Sequence, residues 1–66
     1  MFIIKVNSFW KNDAIEVFDT LRTDDGFGIR VKREPDGWRI FEARHDMKQF
    51  RKELNAKGIQ YDFRAV

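Results

Sequence analysis

The sequence predicts an α+β fold: a four-stranded antiparallel sheet with two helices on one face. Three observations predict it. The hydrophobic periods succeed one another in the order β-α-β-β-α-β, each helix carries its own start and stop signals, and Glu34-Pro35-Asp36-Gly37 is a hairpin turn that sets how the middle strands pair.

Met1 to Val6 sets Phe2, Ile4 and Val6 alternating with Ile3 and Lys5, the period of a strand. Asn7 to Asn12 reads as a polar linker carrying two aromatics, Phe9 and Trp10. Asn12 or Asp13 is placed to cap the first helix, and Asp13 with Glu16 has capping-box spacing. Ala14, Val17, Phe18 and Leu21 follow the i, i+3, i+4, i+7 rule, which gathers them on one stripe. Thr23-Asp24-Asp25-Gly26 ends that helix. Phe27 to Arg33 is the second strand and Trp38 to Arg44 the third.

The turn between those strands decides which side chains share a face. Pro35 holds the backbone angle of the first central position of a type I turn. Asp36 suits the second, and Gly37 supplies the left-handed residue that closes a three-residue loop. Glu34 then pairs with Trp38. Counting back places Lys32 opposite Ile40, Val31 opposite Phe41, Arg30 opposite Glu42 and Ile29 opposite Ala43. Opposed residues share a face, so Ile29, Val31, Phe41 and Ala43 point one way, while Arg30, Lys32, Trp38, Ile40 and Glu42 point the other. A register slipped by one residue would turn Trp38 and Ile40 inward and Phe41 outward. It would also aim Glu42 at the core, a costly burial.

His45-Asp46 opens the second helix, with Asp46 and Gln49 at capping-box spacing and Met47, Phe50 and Leu54 as the apolar stripe. Lys57 followed by Gly58 stops it. Ile59, Tyr61, Phe63 and Ala65 alternate with Gln60, Asp62 and Arg64 as the last strand. Right-handed crossovers then give the strand order 4-1-3-2, the ferredoxin-like split β-α-β arrangement, as a single domain over residues 1–66.

Composition narrows the possibilities further. Sixty-six residues without cysteine lie near the lower limit for an unaided core, so self-association or a partner would help the fold. The lack of cysteine excludes disulfides and thiolate metal sites and fits a reducing compartment; a cytoplasmic protein is the expectation. Met1-Phe2-Ile3-Ile4 is broken by Lys5 and is too short for a signal peptide or a membrane span. Thirteen basic residues against eleven acidic ones give a charge of +2, less than dedicated nucleic-acid binders of this size usually carry. Seven Phe, two Trp and one Tyr supply the bulk that a small core needs.

The expected binding site is the sheet face that the helices leave open. Trp38, Ile40 and Ile3 form an apolar strip there, with Lys5, Arg30 and Lys32 as a basic rim. An aromatic anchor ringed by Arg and Lys has the composition of an interaction hot spot. Phe9 and Trp10 fall at the hairpin end of the sheet, where they either join Trp38 as a second aromatic anchor or lid the core. The opposite end collects Asp24, Asp25, His45 and Asp46, whose duller reading as turn and capping residues is the better one.

Asp25-Gly26-Phe27-Gly28-Ile29-Arg30-Val31 resembles the Gly-Phe-Gly signature of RNA-recognition motifs, and Phe2-Ile3-Ile4 resembles their first-strand motif. In those domains the signature lies on the third strand and begins with a basic residue. Here it falls on the second strand, begins with Asp25, and points Phe27 to the core, so the resemblance does not carry a base-stacking role. No Gly-rich phosphate loop or nucleophile elbow occurs, and Ser8 is far in sequence from the single histidine, His45. The expectation is a non-catalytic protein without metal or cofactor. It would act as a stoichiometric regulator or inhibitor of another protein through the open face, as phage proteins directed at host machinery do. A single-stranded RNA or DNA binder using the same face is the alternative. The third reading is a homodimer joined through the open faces or through the edge of the last strand.

Overall fold

A computed structural model describes residues 1–21 and 28–66. Its elements are β1 (Phe2–Val6), α1 (Lys11–Leu21), β2 (Arg30–Arg33), β3 (Arg39–Ala43), α2 (Lys48–Ala56) and β4 (Asp62–Ala65). The strands form one antiparallel sheet in the order β2-β3-β1-β4, which is the expected ferredoxin-like topology. The expected end of the first helix at Thr23 to Gly26, the acidic pair Asp24 and Asp25, and Phe27 lie outside the described residues. β2 begins only at Arg30 and β3 runs from Arg39 to Ala43, so both are shorter than the expected strands Phe27 to Arg33 and Trp38 to Arg44.

The hairpin follows the geometry of its turn. Gly37 N donates to Glu34 O at 3.0 Å, Glu34 N donates to Trp38 O at 2.9 Å, and Gly37 takes φ 91°. Asp36 Oδ1 accepts from Trp38 N at 3.1 Å, an Asx contact that braces the loop. The register that results is Arg30↔Glu42, Val31↔Phe41 and Lys32↔Ile40, as the turn predicts. An added Cβ at Gly37 would lie 3.0 Å from Ser8 Cβ, so the hairpin tip sits close against the segment that follows β1.

Ile4, Val6, Phe41 and Ala43 are buried on one side of the sheet together with Ala14, Val17 and Phe18 of α1 and Phe50 and Leu54 of α2. Phe41 binds the layers together: its ring centroid lies 5.6 Å from that of Phe18 and 4.7 Å from that of Phe50. Both helices therefore cover the Phe41 side, and among the described residues no element covers the other side of the sheet.

The helix ends depart from expectation. Asn12 and Asp13 do not start α1, which is already helical at Lys11. Asn7 does the organising instead. Its Oδ1 accepts from Phe9 N at 3.0 Å and Trp10 N at 3.3 Å, and Ala14 N then donates to Trp10 O at 2.9 Å. This Asx turn fixes the chain just ahead of α1, and the polar linker shrinks accordingly.

Asp46 likewise is not the N-cap of α2. Met47 holds that position in a left-handed conformation, φ 53°, because its side chain is drawn into the core. Asp46 Oδ1 accepts from Lys48 N at 3.1 Å, and Gln49 reaches Glu53 rather than back to Asp46. The C-terminus of α2 is as expected. Gly58 N bonds to Asn55 O at 3.1 Å and Ile59 N to Leu54 O at 3.0 Å, the two bonds of a Schellman motif, with Ile59 buried beyond it. That cap uses Ile59 up, and β4 begins later than the alternation suggests.

Candidate functional site

On the open face, β1 and β3 lie side by side at the centre of the sheet with Lys5 opposite Ile40 and Ile3 opposite Glu42. Ile3, Lys5, Trp38 and Ile40 are each half-buried. None of the three apolar ones belongs to the core cluster or packs against it, in contrast to Phe2, Ile29 and Val31 on the other side. The alternation thus places Trp38, Ile40 and Ile3 together where the sequence predicts them.

Neighbouring polar side chains make the strip less bare than composition alone implies. Lys5 Nζ sits 4.8 Å from the centroid of the Trp38 ring, a cation–π contact that lays the lysine stem along the strip. Lys32 Nζ reaches Glu42 Oε1 at 2.9 Å, while Arg30, directly opposite Glu42, stays exposed at the rim. The pair is electrostatic rather than a well-aligned hydrogen bond, and that carboxylate oxygen is shielded from water. Lys32 crosses diagonally to it, a distance that a long side chain spans easily.

Toward the hairpin end the face continues into an open groove of about 660 Å³, lined by Lys5, Asn7, Trp38, Gln60, Tyr61 and Asp62. It brings together one indole, one ammonium, two amides, a phenol and a carboxylate.

Phe9 and Trp10, adjacent in sequence, separate in role. Trp10 packs against the core and so acts as its lid, whereas Phe9 is 78% exposed and touches Trp10 edge-on with ring centroids 4.8 Å apart. Phe9 is the residue left available at this end. At the opposite end, His45 Nδ1 accepts from Met47 N at 3.1 Å, and Arg51 holds Asp46 through its backbone oxygen at 2.9 Å and its carboxylate at 3.6 Å. Both residues thus shape the start of α2. Among the described residues no group of three or more His, Cys, Asp or Glu side chains is gathered as for a metal ion.

Two features escape the sequence reading. Asn7 as the organiser of the first loop had a signal in the Asn-Ser dipeptide, a common turn opening. The stack of Phe63 on Phe2, 5.8 Å between centroids, with Arg51 above Phe63 at 4.2 Å, joins three elements and had none.

The fold and the site together define an open-faced α+β sandwich with an aromatic strip on its uncovered sheet. Comparison with protein-family models, curated proteins and solved structures gives no match to this chain. No helix among the described residues is long and apolar enough to cross a membrane.

Proposed function

We propose that this chain is a small non-catalytic binding protein that regulates or inhibits another protein stoichiometrically by occupying its surface with the open sheet face. The observation that carries this reading is the Trp38–Ile40–Ile3 strip, three large apolar side chains outside the core on a face that no element among the described residues covers. Lys5, Arg30 and Lys32 form its rim, and Phe9 extends the surface at the hairpin end. Such a centre-and-rim arrangement puts the binding energy on the tryptophan and leaves orientation to the charges.

The experiment is affinity capture with the tagged chain, with and without nuclease, using Trp38→Ala as the matched control. The expected result is one protein held in roughly equal molar amount, unaffected by nuclease and lost with Trp38→Ala. Capture of nucleic acid that vanishes with nuclease, and whose affinity falls steeply with salt, would replace this reading by the nucleic-acid one.

A further inference from the structure

The two edges of the sheet differ in chemistry. β2 forms one edge and carries Arg30, Lys32 and Arg33 in four residues, so it repels a second copy of itself. β4 forms the other with Asp62, Phe63, Arg64 and Ala65, all exposed, and holds one charge of each sign.

The phase of the hydrogen-bond ladder tells which backbone groups of β4 are free. Val66 N donates to Met1 O at 2.7 Å and Met1 N donates to Val66 O at 3.1 Å, so these two residues form a hydrogen-bonded pair. In an antiparallel ladder such pairs alternate with non-bonded ones. The register Phe2↔Ala65, Ile3↔Arg64, Ile4↔Phe63, Lys5↔Asp62 therefore turns the N–H and C=O groups of Arg64 and Asp62 toward β1. Those of Phe63 and Ala65 face outward.

We infer that this edge pairs with a second copy of the chain, β4 against β4 antiparallel, about a two-fold axis at Phe63. In that register Phe63 and the partner's Phe63 exchange both backbone hydrogen bonds with their outward groups. Ala65 falls opposite the partner's Tyr61. Asp62 falls opposite the partner's Arg64, and Arg64 opposite the partner's Asp62. These charged positions are the non-bonded ones, where Cα atoms approach to about 4.5 Å and side chains meet most closely. Neither Asp62 nor Arg64 is in an ion pair within its own chain among the described residues.

Other axes lose this match. An axis at Asp62 or at Arg64 sets that charge against its own copy, which is unfavourable. Only the axis at Phe63 matches opposite charges and outward backbone groups at once. It also covers the Phe63 ring, which Phe2 and Arg51 leave 38% exposed. The result is an isologous dimer with one continuous eight-stranded sheet, and both open faces remain free.

The test is solution mass by sedimentation equilibrium from about 10 μM to about 1 mM, a range suited to an interface of small area. The mass is expected to rise from 8.0 kDa toward twice that value. Asp62→Arg alone and Arg64→Asp alone should each abolish the rise, and the double variant should restore it. A constant monomer mass overturns the inference, as does association that both single variants retain. So does a dimer lost with Trp38→Ala instead, which would join the open faces.

Should a single variant fail to fold by circular dichroism, amide exchange of the unaltered chain decides. The Phe63 and Ala65 amides should slow about tenfold at high concentration, with those of Asp62 and Arg64 unchanged. Equal slowing of all four, or of none, overturns the proposed register.

Discussion

Phe41 and Ile40 are neighbours on β3 and differ by a single step of the pleat. Phe41 is wholly buried between Phe18 and Phe50, while Ile40, on the opposite face, is half-buried beside Lys5 and Trp38. The same contrast holds on β1 between Ile4 and Ile3. Residue type alone does not separate these pairs; what separates them is the helical layer that covers one face only. Core burial accounts for the inner row. For the outer row, the strand's own alternation would be satisfied by any polar residue with β propensity, and a tryptophan there is more than the fold requires.

That difference can be broken most strongly from the inside. Phe41→Ala should cost about 3–5 kcal/mol by removing the ring that joins both helices to the sheet. In a 66-residue domain this is much of the total stability, and denaturant unfolding would show a large drop in midpoint. A loss below about 1 kcal/mol would mean that Phe41 does not join the layers, since surface-like positions behave that way.

Trp38→Ala probes the outer row and should separate affinity from stability. Partner affinity should fall by about 2 kcal/mol or more. Stability should fall by no more than about 1 kcal/mol, the scale of one exposed cation–π contact with Lys5. Titration calorimetry alongside thermal melts would read both quantities. A loss of stability as large as that of Phe41→Ala would place Trp38 in the core and erase the distinction between the faces.

Gly37→Ala tests what keeps the two rows apart. The alanine would meet Ser8 Cβ at 3.0 Å and hold φ near 91°. About 1–2 kcal/mol of destabilisation is expected from the left-handed backbone alone, with more from the crowding. Gly58→Ala shares the positive φ but meets nothing within 4 Å, so it should cost less. Equal melting temperatures for the two variants would show that the hairpin does not press on the segment after β1.

The smallest effect is expected at the rim. Lys32→Ala removes an ion pair whose lysine is 54% exposed and should cost about 0.2–1 kcal/mol, diminishing with added salt. Salt-insensitive destabilisation would point to the lysine stem packing on the strip rather than to its charge.

Much of this contrast was legible in the chain because the hairpin is local. Pro35, Asp36 and Gly37 act within a few bonds of one another, and a strand's period of two then carries their register along both arms. Trp38 and Ile40 could be assigned to the open face on that ground alone. The roles of Phe9 and Trp10 could not. Both are large aromatics in one short loop, and which of them turns inward depends on where the hairpin tip and α1 stand in space. The start of α2 departs from expectation for a similar reason. Asp46 has the better capping chemistry, but the core draws in Met47 and shifts the N-cap by one residue.

The sequence by itself determined the order of elements, the antiparallel sheet and the division of side chains between its faces, because turn geometry and pleat period are properties of neighbouring residues. Only the tertiary structure decided that Lys5 lies over Trp38, that Glu42 takes Lys32 rather than Arg30, and that Phe63 rests between Phe2 and Arg51. Those contacts join residues on different elements. Each is selected by how long side chains settle once the layers have packed, and no local rule along the chain encodes that.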